Sequence, residues 1–319
     1  MGNSRERSSG LAANPFALSG RWYKGNLHAH TTNSDGRLSP EEVIALYRDA
    51  GYDFLCITDH EVVTQTKAGQ DSEFLLLPGA ELNGGRSEIG ERFHVLGFGL
   101  RRIGALQSEV ERTTQQAIDW IVAHGGATVL AHPHWSGHTY ADLLPLTGHL
   151  GVEVFNTTCE VGIGKGISAA QWDDLLNRGQ LCWGFAVDDC HSTHSANQAA
   201  ILVKAPELTQ DSIMAAIHRG QFYATTGPVI ERVEWHSDAI SGERTLHVHT
   251  SPVEEINFVA QGWHGQHLLA QPGQSLTEAS FTLDGKEWYL RVECRDAQSR
   301  RAWTNPVLFV PQDRRQARV

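Results

Sequence analysis

The sequence predicts an α/β protein with a smaller all-β region at its carboxyl end, and three observations indicate this. Up to about residue 227, short apolar runs alternate with segments that carry helix start and stop signals. Polar residues follow several of the apolar runs directly, as at the carboxyl ends of strands in α/β enzymes. After Gly227-Pro228, strand-like runs continue without helices between them. The chain is therefore predicted to form βα units around a mainly parallel sheet, followed by an antiparallel domain.

The strands of the first region are predicted from buried apolar runs and from alternation. They are expected over residues 22–29, 54–57, 74–82, 93–98, 127–131, 151–155, 181–187 and 199–203. Periodicity alone leaves open whether these strands close into a barrel or form an open, doubly wound sheet. Neither Gly-x-Gly-x-x-Gly nor a Walker sequence is present, so the motifs give no support to a nucleotide-cofactor fold.

Capping signals predict four helices in the same region. Ser39 is the expected N-cap of the first helix, with Pro40 as its first residue and Glu42 as the partner in a capping box. The other three helices are expected over 108–125 with Ser108 as cap, over 168–179 with Ser168 as cap, and over 209–219.

The chain is expected to divide into three parts. Residues 1–20 are predicted to form a disordered tail, because the start of the chain is polar and charged and lacks an apolar segment of the signal-peptide type. Residues 21–227 hold the βα units. Residues 228–319 are predicted to form a sandwich-like antiparallel domain, with a hairpin signal at Asp284-Gly285.

Composition and charge restrict the class of protein. Of 319 residues, 40% are apolar and 20% are charged, which is typical of a soluble globular chain. The 26 Lys and Arg residues against 37 Asp and Glu give a formal charge of −11, so strong binding to duplex nucleic acid is not expected, whereas a small anionic substrate is compatible. No apolar run approaches the roughly 18 residues of a membrane span. We therefore expect a cytoplasmic protein without a membrane contact, with three of its five scattered cysteines as reduced core residues and its oligomeric state open.

Nine polar residues at or just beyond the predicted strands are candidate metal ligands. His28 and His30 stand two apart on one strand face, so both imidazoles point the same way, and Asp35 follows five residues later. Imidazole and carboxylate donors without a thiolate suit zinc, manganese or iron. Since one tetrahedral ion needs four ligands, this many donors predict two or three divalent ions. The candidates are His28, His30, Asp35, His60, Glu81, His94, His132, Asp189 and His191.

These residues lie in motifs that resemble the PHP (polymerase and histidinol phosphatase) superfamily of metal-dependent hydrolases, over roughly residues 20–227. The motifs are His28-x-His30, Thr58-Asp59-His60, Ala80-Glu81-Leu82, the segment 93–97, His132-Pro133 and Asp189-x-His191. The resemblance implies a distorted (β/α)7 barrel with up to three metal ions. It also implies three ligand sets: His28, His30, Glu81 and Asp189; Glu81, His94 and His132; and Asp35, His60 and His191.

Further segments resemble the carbaryl-hydrolase-like branch of this superfamily. They are residues 172–176, 184–189 and 222–228 and the sequence Trp303-Thr304-Asn305-Pro306. That branch carries a similar β-domain at its carboxyl end, which agrees with the prediction for residues 228–319.

The expected chemistry is hydrolysis by a water that two divalent ions bridge and acidify. His134 is a candidate for contacting the leaving oxygen, or for a hydrogen bond to a ligand residue. Asp59 and Asp188 are the other catalytic candidates. Both adjoin ligands, and both are expected to orient the site rather than to bind metal.

A phosphoesterase that acts on a small phosphate mono- or diester is the leading functional prediction. Lys165, Arg86 and Arg92 are the candidates for binding its anionic substrate, and Cys159 is expected only to line the site. The alternatives are a carboxyl- or carbamate-ester hydrolase and a non-catalytic, metal-stabilised binding module.

Overall fold

The elements described below lie in residues 14–66, 68, 72–102 and 111–309 of a computed structural model. The strands are β1 Arg21–Asn26, β2 Phe54–Ile57, β3 Leu75–Arg86, β4 Arg92–Phe98, β5 Ala127–Leu130, β6 Gly151–Asn156, β7 Trp183–Val187, β8 Ala200–Ala205, β9 Phe222–Thr225, β10 Ile230–Ser237, β11 Arg244–Val253, β12 Glu255–Val259, β13 Gly265–Leu269, β14 Leu276–Thr282, β15 Tyr289–Arg295, β16 Arg301–Thr304 and β17 Val307–Leu308. The α-helices are α1 Pro40–Asp49, α2 Thr114–Ala123, α3 Tyr140–Leu143, α4 Thr157–Ile163, α5 Ala169–Asn177 and α6 Gln210–His218. None of these helices has the length and apolar character needed to cross a membrane.

One long sheet joins most of the strands. Its order is β13-β12-β15-β16-β9-β8-β1-β2-β3-β4-β5-β6-β7, and β17 pairs with β15 beside this path. Strands β1, β2 and β3 are parallel, and so are β5, β6 and β7. Strands β10, β11 and β14 form a separate antiparallel sheet. The predicted α/β class with an antiparallel carboxyl-terminal region is therefore confirmed.

Strand β4 runs against the direction of its neighbours, which the periodicity of the sequence does not reveal. It is antiparallel to both β3 and β5. Only residues 87–91 connect β3 to β4, and a parallel crossover needs about a dozen residues or more. A hairpin is the connection that this short segment allows, so β4 separates the two parallel groups.

The segments that follow β1 and β7 approach each other. Ala29 forms a parallel bridge with Cys190, and the backbone nitrogen of His30 donates to the carbonyl of Cys190 at 2.8 Å. Polar residues after the first and the seventh strand are thereby brought side by side. The closed, seven-stranded barrel stays a prediction.

In helix α1, the capping residues predicted from the sequence and the buried apolar face both support the same helix. The Ser39 hydroxyl accepts from the backbone nitrogen of Glu42 at 3.3 Å, and the Glu42 carboxylate accepts from the backbone nitrogen of Ser39 at 2.7 Å. The predicted capping box is therefore confirmed. Val43, Ile44 and Tyr47 form the buried face of the helix, as expected for apolar residues at helical spacing.

Helix α2 begins later than predicted. Its N-cap is Thr113, whose hydroxyl accepts from the backbone nitrogen of Gln116 in a complete capping box. Ser108, the predicted cap, lies outside the described residues, and Glu111 precedes the helix. The prediction is wrong for residues 111–113, because Thr113 and Gln116 form a capping box of the same chemistry further along the chain.

Residues 14–20, predicted as part of the tail, have a defined structure. Pro15–Ala17 forms a single turn of 3-10 helix, and the Asn14 side chain donates to the carbonyl of Val233 at 2.6 Å. The Phe16 ring centroid lies 5.0 Å from that of Trp22. The prediction of disorder is therefore wrong for this segment, because Phe16 finds aromatic partners, and residues 1–13 lie outside the described residues.

Residues on both sides of the predicted boundary at 227/228 share one sheet. Strand β16 pairs with β9, placing Trp303 opposite Ala224. From β15, the guanidinium of Arg291 contacts the carboxylate of Asp173 on α5 at 2.6 and 2.8 Å, and that of Glu293 at 3.2 Å. Arg291 is buried, so this ion cluster joins the carboxyl-terminal strands to the first region away from solvent.

Candidate metal centre

The structure brings all nine predicted ligands together. Four strands end just before ligand-bearing segments: β1, β2, β5 and β7. The carboxyl ends of parallel strands meet at one edge of a sheet, so side chains that follow them converge. The ligands after these strands are His28, His30, His60, His132, Asp189 and His191.

Glu81 and His94 reach the cluster from within strands. Strand β3 was expected to end near residue 82 but continues to Arg86, where it pairs with β4. An isolated bridge joins Glu81 to His60, which lies beyond the end of β2. The β3–β4 hairpin therefore extends past its neighbouring strand and carries Glu81 into the middle of the cluster.

Four donor atoms form a compact group around one point. Nε2 of His28 and Nε2 of His30 are 3.0 Å apart. Oδ1 of Asp189 lies 3.1 and 3.2 Å from these two nitrogens, and Oε2 of Glu81 lies 3.3 and 3.2 Å from them. Atoms bound about 2.0–2.1 Å from a tetrahedral zinc are separated by about 3.3 Å. The two nitrogens together with either carboxylate oxygen therefore already have the spacing of a metal site.

Three buried atoms of the cluster lie close to other donor atoms of the cluster but have no hydrogen bond of good geometry among the described residues: Nδ1 of His60, Oε1 of Glu81 and Oδ1 of Asp189. A buried polar atom that is left unpaired costs about 1–3 kcal/mol. A divalent cation would supply the missing partner to each of them. The donor set therefore fits bound metal ions.

A second group consists of His60, Glu81 and His94, whose donor atoms all lie within 4.8 Å of one another. Nδ1 of His94 is 3.1 Å from Oε1 of Glu81, and Nδ1 of His60 is 3.2 Å from Oε2. Nε2 of His132 lies 3.6 Å from Oε1 of Glu81. His132 therefore lies next to this group, as the predicted set of Glu81, His94 and His132 requires. His60, which was predicted for the third ion, also belongs to the group.

A third group joins His30, Asp35, His60 and His191. Oδ2 of Asp35 lies 3.4 Å from Nε2 of His191 and 3.6 Å from Nε2 of His60, and Oδ1 lies 3.5 Å from Nδ1 of His30. The Asp35 side chain is 54% exposed, against 1% for Glu81. This third position is therefore the one most open to solvent.

Sequence reasoning missed Glu153 of β6, which forms hydrogen bonds with two of the predicted ligands, His28 and His132. Its Oε1 accepts from Nδ1 of His28 at 2.6 Å, and its Oε2 accepts from the backbone nitrogen of His132 at 2.7 Å. The bond to Nδ1 fixes the tautomer of His28 and leaves Nε2 free to face the cluster. An acidic residue between Val152 and Val154, in a strand that is otherwise apolar, was the signal that could have identified it.

The Asn156 side chain connects Glu153 to the cluster. Its amide nitrogen donates to Oε2 of Glu153 at 2.8 Å and to Oδ2 of Asp189 at 3.2 Å. Its oxygen accepts from the backbone nitrogen of Cys159 and caps helix α4, which was not predicted. One residue thus positions two carboxylates and the helix above them.

The carboxylates and imidazoles perturb one another strongly. Burial disfavours the charged form of His28, but the carboxylates of Asp189, Glu81 and Glu153 outweigh it and hold its pKa well above the usual value. Burial likewise opposes the charge on His30, and hydrogen bonds with Asp189 and Glu81 nevertheless raise its pKa to about 9. Without metal, the surrounding carboxylates therefore favour the protonated form of these imidazoles.

The backbone adopts left-handed conformations at two of the ligands. The φ angle is 30° at His132 and 53° at Asp189, and it is 54° at Glu61, next to His60. Non-glycine residues rarely adopt positive φ, and such strain concentrates at functional sites. These residues change the direction of the backbone just after β5, β7 and β2, where the candidate ligands have to point into the cluster.

Asp59 is buried, and four hydrogen bonds hold its carboxylate. Its Oδ1 accepts from the backbone nitrogen of Thr31 at 2.6 Å and from the Ser34 hydroxyl at 2.7 Å. Its Oδ2 accepts from the hydroxyls of Thr31 and Thr64. These contacts argue against a direct catalytic role, since they commit both oxygens to holding the segment that carries His30.

Asp188 is also committed to structure. Its Oδ1 accepts from the Thr157 hydroxyl at 2.7 Å and from the backbone nitrogens of residues 198 and 199 at 3.1 and 2.9 Å. Its Oδ2 accepts from the Tyr47 hydroxyl and from the backbone nitrogen of Asn197, each at 2.8 Å. A direct catalytic role is therefore unsupported, and Asp188 instead joins α1, α4 and the segment before β8.

His134 is half-buried beside the cluster, and its Nδ1 donates to the carbonyl of Ile167 at 2.8 Å. Its Nε2 is therefore the nitrogen left for a substrate or a water. Cys159 is buried, and burial raises the pKa of its thiol. A neutral thiol is a poor metal ligand, which agrees with the expectation that Cys159 only lines the site.

The predicted substrate-binding cations are not gathered at the ligands. Lys165 is exposed and follows helix α4. Arg86 and Arg92 face each other across the β3–β4 hairpin and line a cavity of about 580 Å³ whose lining includes Arg112 and none of the nine ligands. Their predicted role in binding a substrate therefore stays a prediction.

No family model and no curated protein matches this chain. Among solved structures, a two-domain protein from Bacteroides vulgatus containing a predicted PHP-like metal-dependent phosphoesterase is 14% identical, over 88% of this chain and 93% of that chain, with a TM-score of 0.48. An amidohydrolase from Chromobacterium violaceum is 17% identical, over 53% and 88%, with a TM-score of 0.40. A proposed metal-dependent phosphoesterase from Bifidobacterium adolescentis is 15% identical, over 61% and 96%, with a TM-score of 0.41. At this distance, function has to be inferred from the ligand cluster itself.

Proposed function

We propose that this chain is a metal-dependent hydrolase and that it acts on a small phosphate mono- or diester. The observation that carries the proposal is a set of four donor atoms, in which two histidine nitrogens lie 3.0 Å apart and two carboxylate oxygens each lie 3.1–3.3 Å from both nitrogens. Five further ligand residues surround this set, enough for two or three divalent ions. Nitrogen and oxygen donors suit zinc, manganese or iron.

The ligand residues divide among the ions as follows: His28, His30, Glu81 and Asp189 for the first; Glu81 and His94 with His132 or His60 for the second; Asp35, His60 and His191 for the third. When bound, such ions acidify a water molecule and offset the negative charge that develops on a phosphoryl oxygen.

The chain's own residues then orient the reactants. Glu153 holds the proton on Nδ1 of His28, so that the Nε2 lone pair stays directed into the cluster. The carbonyl of Ile167 likewise accepts a hydrogen bond from Nδ1 of His134 and leaves its Nε2 without a proton. The free Nε2 of His134, once protonated, is suited to donate to the leaving oxygen.

The test is hydrolysis of aryl phosphates, nucleotides and dinucleotides by protein loaded with manganese or zinc. We expect turnover of at least one class, its loss with a chelator and its return with added metal. His30→Ala and Asp189→Ala should abolish turnover and keep the circular dichroism of the wild type. A metal-loaded protein that hydrolyses no phosphate ester would contradict the proposal.

A carboxyl- or carbamate-ester hydrolase is the second candidate. The cationic residues Arg86 and Arg92 line a separate cavity, and Lys165 faces solvent. A site with few cations around its ligands favours a neutral ester over a phosphate. Hydrolysis of naphthyl acetate or a naphthyl carbamate that persists in excess phosphate would favour this alternative.

A further inference from the structure

Trp135 presents a large aromatic surface to solvent beside the ligand cluster. It is 45% exposed, whereas Trp172, Trp183 and Trp303 are buried. Its ring meets the ring of His132 edge-on, with the centroids 5.0 Å apart. An exposed indole next to a candidate metal ligand is an available contact surface for a substrate, because burying an aromatic ring is among the largest apolar gains a binding site offers.

The turn that carries Trp135 is fixed on both sides. The ring of His132 bonds the Ser136 hydroxyl at 3.0 Å, and the backbone nitrogen of Ser136 donates to the carbonyl of His132 at 3.1 Å. The backbone nitrogen of His134 donates to the Ser168 hydroxyl at 3.2 Å. Trp135 is therefore held in place before any ligand arrives, which lowers the entropy cost of binding.

Further exposed apolar side chains lie on the β3–β4 connection and on helix α4. A Cβ atom at Gly137 would lie 2.8 Å from Cδ1 of Ile89, so Ile89 covers the same turn. Val161 and Ile163 are exposed on helix α4, whose Thr158 hydroxyl donates to the carbonyl of Asp189 at 2.6 Å. Exposed apolar groups near a polar catalytic cluster are typical of a ligand-binding surface.

We infer that the substrate is an ester of an aromatic or otherwise planar group, and that Trp135 contacts this group while the phosphoryl end meets the ligand cluster. The inference rests on the proposed function and names its substrate class. Trp135 is accordingly a specificity-determining residue, and the planar group gains contact from a ring already held beside His132.

The test compares two non-hydrolysable ligands, phenylphosphonate and methylphosphonate, by calorimetry on the metal-loaded protein. We expect the wild type to bind phenylphosphonate about 10-fold more tightly. Trp135→Ala should reduce that ratio to about 1 without changing the Kd of methylphosphonate or the metal content. Trp135→Phe should keep part of the preference, and Trp263→Ala should keep all of it, since Trp263 is an exposed tryptophan of the carboxyl-terminal region.

The two possible failures are distinguishable. If Trp135→Ala keeps the wild-type preference for phenylphosphonate, the role of Trp135 is wrong and the proposed function is unaffected. If the metal-loaded wild type binds neither phosphonate, the proposed phosphoesterase function is wrong and the inference falls with it.

Discussion

Several carboxylates of this molecule form hydrogen bonds with the segments that carry the candidate ligands. Glu153 is the one that contacts the candidate ligands most directly. It contacts a side chain of one ligand and the backbone of another. Such a contact keeps an imidazole in the metal-binding tautomer and raises its basicity. We therefore expect Glu153 to contribute more to the affinity for metal than to the stability of the fold.

We expect Glu153→Gln to weaken metal binding by about 10- to 100-fold, because an amide cannot accept from both the His28 ring and the His132 backbone in the same geometry. The measurement is a zinc or manganese titration of the metal-free protein, followed by metal content after dialysis. Glu231→Gln, at an exposed position, should bind metal as the wild type does. Equal affinities for both variants would show that Glu153 has no positioning role.

The titration of His28 and His30 predicts proton release when metal binds. Both pKa values are raised, that of His30 to about 9, while metal binding requires the neutral imidazole. At pH 7 we expect metal binding to release protons from these rings, and metal affinity should rise with pH up to about 9. In metal-free protein, the stability from the charged imidazoles is present below pH 6.5 and is lost as pH rises through 9.

Calorimetry of metal binding at pH 7, in buffers with different heats of ionisation, measures this release. His30→Ala should release fewer protons than the wild type. Binding heats that do not depend on the buffer would show that the two rings are neutral before metal arrives.

At the scale of secondary structure, Asp188 determines how several elements meet. Its two oxygens accept five hydrogen bonds, from α1, from the start of α4 and from the segment before β8. We expect Asp188→Asn to lower the free energy of unfolding by about 2–5 kcal/mol, since in either orientation the new NH2 group faces buried donors. Urea denaturation provides the measurement. Asp211→Asn, which removes an exposed ion pair with Arg101, should cost less than about 1 kcal/mol.

The elements that could be predicted are those with local signals. The capping box of Ser39 and Glu42, the apolar strand runs and the ligand motifs after them all depend on neighbours within a few residues, and the structure contains each of them. The direction of β4 depends on the length of the five-residue connection after β3, and the periodicity of the apolar residues does not indicate it. The roles of Glu153 and Asn156 depend on residues up to 125 positions away, which no local pattern reveals.

For the whole molecule, Arg291 is the residue that most directly couples the two regions. Its guanidinium is buried between Asp173 and Glu293 and lies 4.8 Å from the ring centre of Trp172. We expect Arg291→Ala to lower the free energy of unfolding by up to about 3 kcal/mol, because it removes the buried cation that two carboxylates share and leaves Asp173 with the Tyr289 hydroxyl and Glu293 with Arg301.

Far- and near-ultraviolet circular dichroism in urea should report this loss as a single transition for the whole chain. Arg232→Ala, at an exposed pair with Glu234, should change the free energy by less than about 1 kcal/mol. Two separate transitions in the wild type would contradict the coupling of the two regions.

The pairing of β9 with β16 has a consequence for synthesis of the protein. The partner of Thr225 is Ala302, 77 residues later in the chain. A ribosome that adds about 5–20 residues per second needs about 4–15 s to supply it. Throughout that interval the nascent chain exposes an unpaired strand edge, a known template for aggregation. The last strands are therefore needed to protect the nascent sheet, and chaperone demand should be greatest while residues 226–301 emerge.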